Sequence, residues 1–274
     1  MTRSQVLLGT YVEVSIGGLV ENAAQRDFHQ EICTVVFNEM AKVQRLMSIF
    51  DSGSDIAKIN KIVPQSRSIL QKVHPWTFEV LSIAKKMCEL TGGVFDCAVG
   101  TCSSKTGPHE FKHGSILDLG LDEKDHVRLH QPIDLDLGGI AKGYAVDRGI
   151  EILKSFGITQ AGINAGGDLR IFGHASQAIF IQEFGCEPAI FYLGDLQDGA
   201  IATSSNRVGS RFRKCRQSML IDPKSGKEVR SHSRFSVVAP TCVVADGLTK
   251  ALAIEQNIHA DYFKQLRAIP VITA

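Results

Sequence analysis

The hydrophobic pattern at the start of the chain changes from one period to another. Apolar and polar residues alternate along residues 11–16, which is typical of a half-buried β-strand. From residue 27 to residue 46 the apolar residues recur every three or four positions, which predicts an amphipathic helix. The chain is therefore expected to begin with a strand followed by a helix.

Two further helices are predicted by the same spacing. Residues 76–90 carry their apolar side chains on one side, and Thr91-Gly92-Gly93 follows as a helix stop. The next helix is predicted over residues 140–156, with Gly157 just beyond its end. Asp246 stands where a capping residue would open a last helix.

Strands are predicted in the second half of the chain, mixed with the helices but without strict alternation. They cover residues 161–164, 169–172 and 235–238, and a Gly166-Gly167 turn joins the first two. This order favours an α+β fold, a layered mixed α/β sandwich, over a doubly wound sheet. We expect one domain over residues 1–274, with two closely packed subdomains as the alternative organisation.

Composition narrows the function classes. The 274 residues carry 30 basic and 29 acidic side chains, so there is no global positive field to attract nucleic acid. No apolar run approaches the roughly 20 residues needed to span a bilayer. Seven cysteines are scattered without a C-x-x-C pair, which favours a reducing compartment. We therefore expect a cytoplasmic protein, or an exported one whose leader is absent from this chain.

The first chemical candidate is the paired glycine before the helix at residues 140–156. Gly138 and Gly139 leave the backbone bare at a helix start, and Lys142 adds a positive charge in the first turn. Free N–H groups, the helix dipole and a lysine together favour an anion such as a pyrophosphate. A tight strand-to-helix connection with an exposed lysine explains the same residues.

Two other glycine pairs have the same two interpretations. Gly166-Gly167 permits a close approach of the backbone to a flavin or a phosphate, and equally permits a hairpin turn. Gly92-Gly93 can end a helix, while Asp96 just beyond it can accept hydrogen bonds from a ribose or an imide N–H. The local sequence leaves these alternatives open.

A carboxylate and a lysine four residues apart form the last candidate. Asp246 and Lys250 fall on one face of a helix. A buried carboxylate near phosphates is a plausible Mg²⁺ ligand, since Mg²⁺ takes few protein oxygens and fills its shell with phosphate and water. An exposed ion pair on a helix explains the spacing as well.

The order of these segments is more specific than any one of them. In sequence they are LGTYVEVSI, MSIFDSGSDIAKIN, TGGVFDCAVG, DLGGIAKGYAVDRGIEIL, INAGGDLRIFG, ATSSN, LIDPKSG and SVVAPTCVVADGLTKALAI. This series resembles the ApbE family of FAD:protein FMN transferases over nearly the whole chain. The resemblance implies Mg²⁺-dependent cleavage of FAD, transfer of FMN to a threonine or serine hydroxyl of an acceptor flavoprotein, and release of AMP.

The resemblance also implies roles for individual residues. It places contacts to FAD at seven positions: Leu8, Phe50, Val94, Phe95, Asp96, Lys142 and Leu220. It places the metal at the backbone carbonyl of Gly139 and the carboxylate of Asp246. Phe50 can stack on a flat ring, Asp96 can accept hydrogen bonds and Lys142 can face a phosphate.

Four positions depart from the family pattern. Lys250 stands where a threonine is usual and Met219 where a histidine is usual, while Ala98 and Leu8 replace a threonine and a methionine. A lysine ammonium cannot ligate a metal, so it either substitutes for the charge of the ion or turns to solvent while Thr249 supplies a hydroxyl. Met219 removes a general base, a group worth about 10²–10⁴-fold in rate. An FAD-binding relative without transferase activity is therefore the alternative.

Overall fold

The computed structural model describes residues 1–18, 22–62, 70–99, 114–123, 125–183, 189–205, 220–231 and 233–273. Its strands are β1 Thr2–Leu7, β2 Thr10–Ile16, β3 Leu70–Lys72, β4 Leu119–Asp122, β5 His126–Leu129, β6 Ala161–Ala165, β7 Asp168–Phe172, β8 Gln177–Glu183, β9 Ala189–Leu196, β10 Gly199–Ser205, β11 Arg234–Ala239 and β12 Ile269–Thr273. Its α-helices are α1 Ala23–Met47, α2 Asp55–Asn60, α3 Pro75–Leu90, α4 Ala141–Ser155, α5 Cys242–Glu255 and α6 Asp261–Gln265. Short 3₁₀ turns cover Ile116–Asp118 and Leu137–Gly139.

A large antiparallel sheet organises the fold. Its seven strands lie in the order β1-β2-β6-β7-β10-β11-β12, and every neighbouring pair runs antiparallel. Helix α4 packs on β6 and β7, and α5 packs on β10 and β11. Buried side chains from this sheet and from the helices form one continuous apolar cluster. The predicted α+β sandwich is confirmed, while its organisation as one domain, or as two closely packed subdomains, stays a prediction.

Helix α1 bears out the predicted amphipathic pattern and extends it. The helix begins at Ala23, because the side chain of Asn22 accepts a hydrogen bond from the backbone N–H of Gln25 at 2.9 Å. Its buried face includes Ile32 and Met40, whereas Val35, which fits the same spacing, is exposed. The first turn, residues 23–26, carries no large apolar side chain, and for this reason the hydrophobic pattern alone places the start four residues late.

The predicted glycine turns are present. Gly92 and Gly93 follow α3 with φ of 59° and 81°, left-handed values that end the helix. Gly166 and Gly167 form the turn between β6 and β7, where Asn164 accepts a hydrogen bond from the N–H of Gly167 at 2.9 Å. Each glycine pair thus has the structural role predicted for it. Gly92-Gly93 ends a helix, and Gly166-Gly167 forms a hairpin turn.

The predicted start of α5 is wrong. Asp246 does not cap this helix, which begins at Cys242 and carries Asp246 in its second turn. The capping group comes from α4, where the carboxylate of Asp147 accepts hydrogen bonds from the N–H groups of Cys242 and Val243, both at 2.8 Å. Arg170 donates to the same carboxylate at 2.6 Å. A cap supplied from a distant helix leaves no signal next to the helix it caps.

Helices α4 and α5 cross at Gly143 with almost no space between them. A Cβ at this position would lie 2.7 Å from the carbonyl carbon of Cys242 and 2.8 Å from Cβ of Asp246. The N–H of Gly143 donates to Oδ2 of Asp246 at 3.0 Å. The glycine therefore sets the distance at which the first turn of α4 meets the buried carboxylate of α5.

No helix among the described residues is long and apolar enough to cross a membrane.

We predict that Gly143→Ala lowers the free energy of unfolding by about 1–3 kcal/mol, because the added methyl group would overlap the backbone of α5. Urea denaturation followed by circular dichroism measures this loss. Gly139→Ala is the matched control, since a Cβ there would meet its nearest neighbour, Lys250, at an ordinary 3.5 Å. Equal stabilities of the two variants would contradict the close crossing.

Candidate functional site

Lys142 is the centre of a buried charge cluster. Its ammonium group forms an ion pair with Asp168 at the start of β7, and lies 3.6 Å from Oδ2 of Asp246. The side chains of the two aspartates are 4% and 0% exposed, whereas that of Lys142 is 31% exposed. The carboxylates therefore form the floor of the cluster, and the lysine lies between them and solvent.

A second lysine completes the cluster from α5. Lys250 forms an ion pair with Oδ1 of Asp246, one helical turn away, and also donates to Oγ1 of Thr249 at 3.1 Å. Thr249 is buried and shares a 2.7 Å hydrogen bond with Ser204 of β10. Ser204 of β10, far from α5 in the chain, thus contacts α5 at Thr249, beside the ion pair of Lys250 and Asp246.

The two aspartates titrate differently because of these neighbours. Burial and the adjacent Asp246 carboxylate raise the pKa of Asp168 to about 6, although Lys142 opposes the shift. Burial alone would raise the pKa of Asp246, but Lys250, Lys142 and the N–H of Gly143 together hold that pKa below its usual value. For Lys142, burial is outweighed by Asp246 and Asp168, which raise its pKa above the usual value. The cluster at neutral pH therefore has two negative and two positive charges.

Gly139 lies against the cluster. It ends the 3₁₀ turn Leu137–Gly139, which is fixed by a hydrogen bond from the N–H of Gly138 to the side chain of Asp136 at 2.8 Å. A Cβ on Gly139 would lie 3.5 Å from both Cγ and Cε of Lys250. The side chain of Lys250 thus runs beside Gly139 and pairs with Asp246, so it lies next to both positions expected to bind metal.

The start of α4 leaves backbone N–H groups without acceptors beside Lys142, among the described residues. No side chain caps this helix at Ile140. Within the described part of the chain, the N–H groups of Ala141 and Lys142 have no hydrogen-bond acceptor, while that of Gly143 is taken by Asp246. Free N–H groups, the positive end of the helix dipole and an ammonium group are the elements of a phosphate site.

Leu8 lies in the turn between β1 and β2, close to this edge of the sheet. It has a left-handed φ of 55°, and its N–H donates to Oε1 of Gln44 near the end of α1 at 2.7 Å. The next strand residue, Thr10, packs against the Gly166 turn, where a Cβ would lie 2.9 Å from its Cγ2. The turn that carries Leu8 therefore lies next to the Gly166 turn, which leads into Asp168.

Phe50 follows α1 and is 85% exposed. The only hydrogen bond of its backbone among the described contacts is from its N–H to Oγ of Ser48 at 3.2 Å. Ser54, in turn, donates to the carbonyl of Ser48 at 2.6 Å, which closes the loop on itself. A large aromatic ring is thus presented to solvent from a well-fixed loop, as a stacking surface requires.

A short segment next to α5 consists of Val94, Phe95 and Asp96, here called the wall. Its apolar and acidic side chains differ in the contacts they offer a ligand. Val94 and Phe95 are buried, and the ring of Phe95 lies 3.5 Å from a Cβ placed on Gly247, the residue after Asp246. Asp96 accepts hydrogen bonds from Oγ of Ser115 at 2.5 Å and from the N–H groups of Ile116 and Ala98 at 3.0 and 2.8 Å. Its carboxylate therefore fastens this loop to the next 3₁₀ turn.

The Leu220 segment lies beside the loop that follows α3. Leu220 packs on the main apolar cluster, and its carbonyl accepts a hydrogen bond from the N–H of Val229 at 2.8 Å. Lys224 at the tip of this segment lies 3.9 Å from a Cβ placed on Gly93. The LIDPKSG and TGGVFD segments are thus adjacent. Met219, the departure at the base position, lies outside the described residues.

Sequence reasoning missed three residues that build the site. Asp168 and Asp147 are buried acids with cationic partners, and Ser204 bonds to Thr249. Asp168 directly follows a glycine turn and precedes an apolar strand, which is a local signal for a buried carboxylate. Asp147 gives a weaker signal, an acidic residue among the apolar positions of a helix. Ser204 gives none, because its partner is remote in the chain.

Comparisons with known proteins identify the family of this chain. A family model described as the ApbE family matches residues 8–272. One similar protein is the FAD:protein FMN transferase of Buchnera aphidicola subsp. Schizaphis graminum, 25% identical over 281 residues that cover 90% of this chain and 77% of that protein.

Solved structures of similar fold include two ApbE proteins. That of Thermotoga maritima has a TM-score of 0.79 at 24% identity and covers 99% of this chain and 93% of its own. The flavin transferase ApbE of Vibrio cholerae has a TM-score of 0.77 at 23% identity, with 99% and 92% covered. These likenesses show the fold, and because the family model extends from the first hairpin to the last strand, the chain belongs to the ApbE family.

Proposed function

We propose that this chain is an FAD:protein FMN transferase, which binds FAD and transfers FMN to a threonine or serine hydroxyl of an acceptor flavoprotein. The observation that carries the proposal is the cluster of Lys142, Asp168, Asp246 and Lys250 at the open start of α4. The similar proteins named FAD:protein FMN transferase support the same reaction.

The cluster suits the pyrophosphate of FAD. Its ammonium-bearing side chains, Lys142 and Lys250, are 31% and 19% exposed, while both carboxylates lie beneath them. An approaching anion therefore meets positive charge and the free N–H groups of α4 first. Lys142 neutralises phosphate charge as a point charge, and its two buried carboxylates fix its position.

The ring systems of FAD need flat apolar surfaces at either side of the phosphates. Phe50 offers an exposed ring for stacking, and Leu8 lies on the neighbouring β1–β2 turn. Val94, Phe95 and Leu220 form the apolar wall around the α5 side. In this proposal Asp96 acts by holding the wall in place, since the described hydrogen bonds already occupy both of its oxygens.

The transfer itself is a phosphoryl-type displacement. The acceptor hydroxyl oxygen forms a bond to the phosphorus of the FMN half, the anhydride bond to the AMP half breaks, and the hydroxyl proton leaves to a base. Negative charge develops on the phosphate oxygens, and the ammonium groups of Lys142 and Lys250 are placed to stabilise it.

A Mg²⁺ ion, expected at Gly139 and Asp246, would supply further neutralisation of the phosphates. The residues present do not fit it well, because Lys250 pairs with one oxygen of Asp246 and the N–H of Gly143 donates to the other. Among the described residues, no group of three or more His, Cys, Asp or Glu side chains could hold a metal ion. We therefore derive no step through a metal.

The second candidate is an FAD-binding relative that does not transfer FMN. The ion pair between Lys250 and Asp246 favours this second candidate, since it departs from the family pattern at the proposed catalytic centre. Binding and transfer separate the two candidates: both bind FAD, and only the transferase modifies an acceptor.

Incubation with FAD and a threonine-containing acceptor peptide should add the mass of FMN to the peptide, and AMP should appear in equal amount. Intact-mass spectrometry measures the first product and chromatography the second. The Lys142→Met variant should lose at least about tenfold in rate, because an ammonium group aimed at developing phosphate charge is removed. An unmodified peptide together with tight FAD binding would favour the second candidate.

Phe50→Ala should weaken FAD binding by about 1–3 kcal/mol, the range found for loss of a base–aromatic stack, and should leave thermal stability unchanged because the ring is exposed. Quenching of flavin fluorescence measures the affinity. Phe180→Ala, which removes an exposed ring from β8, is the matched control and should bind FAD like the parent protein. Equal affinities for both variants would remove Phe50 from the site.

A further inference from the structure

The geometry points to Lys250 as a built-in replacement for a divalent cation at Asp246. We propose that its ammonium group occupies the cation position, so that the protein takes up no Mg²⁺ there and binds FAD without it. The absence of Mg²⁺ binding is argued from the charge cluster alone. The claim that FAD binds without Mg²⁺ rests on the proposed function.

Lys250 lies where the two expected metal positions meet. Its ammonium group pairs with Oδ1 of Asp246, and its aliphatic chain passes over Gly139, where a Cβ would lie 3.5 Å from Cγ and Cε. The same ammonium donates to Oγ1 of Thr249 at 3.1 Å. A cation between Asp246 and the backbone of Gly139 would have to share this space with an ammonium group.

The remaining oxygens near Asp246 are also engaged. Its Oδ2 accepts a hydrogen bond from the N–H of Gly143 at 3.0 Å and lies 3.6 Å from Lys142. The hydroxyl of Thr249 donates to the backbone carbonyl of Asp246 at 2.7 Å and bonds to Ser204 at 2.7 Å. The hydroxyl of Thr249 is therefore hydrogen-bonded to both the helix and the sheet, and is not available as a substitute ligand for a metal.

The charges of the cluster also argue against a divalent cation at Asp246. Asp168 and Asp246 carry two negative charges, and Lys142 and Lys250 carry two positive ones. Adding a doubly charged ion to this neutral and largely buried group would create uncompensated positive charge in a poorly solvated place. Without Lys250, the other three side chains carry a net negative charge, which is what attracts a cation.

The first test uses the protein without flavin. Millimolar Mg²⁺ should leave the Tm of the parent protein unchanged, and Mn²⁺ should show no tightly bound signal by electron paramagnetic resonance. Lys250→Thr should bind Mn²⁺ and gain Tm with Mg²⁺, because an ion that binds only the folded state stabilises it. Lys250→Met, which removes the charge without adding a hydroxyl, gives the same answer if the threonine variant folds poorly.

Two control variants distinguish the loss of the positive charge at Lys250 from the effect of a substitution in general. Lys250→Arg keeps a cation beside Asp246 and should respond to Mg²⁺ no more than the parent protein does. Lys264→Thr makes the same substitution at an exposed position of α6 and should also show no response. Tight Mn²⁺ binding by the parent protein, or a Lys250→Thr variant that ignores both ions, would overturn the proposal.

The second test measures FAD affinity by flavin fluorescence in EDTA and in Mg²⁺. The parent protein should bind equally in both, within about twofold, whereas Lys250→Thr should lose about tenfold in EDTA and regain it with Mg²⁺. A parent protein that binds FAD only with Mg²⁺ overturns the proposal. If no variant binds FAD under either condition, the proposed function fails, while the metal measurements on the flavin-free protein still decide the role of Lys250.

Discussion

The contact between α4 and α5 is the constraint on which the site depends. Gly143 lets the two helices touch, Asp147 of α4 caps the start of α5, and Asp246 of α5 accepts the N–H of Gly143 in return. Each helix thus satisfies polar groups of the other that would otherwise be buried without partners. Lys142 and Lys250 extend from this crossing, so their separation is set by backbone packing.

The cost of burying Asp168 and Asp246 explains the form of the cluster. A carboxylate out of water requires hydrogen bonds and opposite charge close by, and both are present for Asp246 in the form of one N–H group and two ammonium groups. Asp168 has a single direct cation and is the member whose pKa rises. The positive groups are therefore structural partners of the acids as well as the most exposed part of the cluster.

The sequence was a good guide where the information is local. The periodicity of α1 and α3 and the glycine turns after α3 and β6 were predicted correctly, because spacing and backbone freedom are properties of adjacent residues. The start of α5 was placed wrongly, since its cap is Asp147, more than ninety positions earlier in the chain. Asp168 was likewise seen only as part of a turn, because its partner Lys142 is brought to it by the pairing of β6 with β7 and the packing of α4.

The hydrogen bonds that α4 and α5 exchange also restrain the two helices relative to each other. Two helices that share buried hydrogen bonds in both directions resist sliding past each other, because a shift would leave buried N–H groups without acceptors. The β1–β2 turn at Leu8 and the loop around Phe50 are fixed by hydrogen bonds of their own and take no part in this crossing. The spacing of the charged groups on the two helices is therefore set by their packing, independently of the loops that carry Leu8 and Phe50.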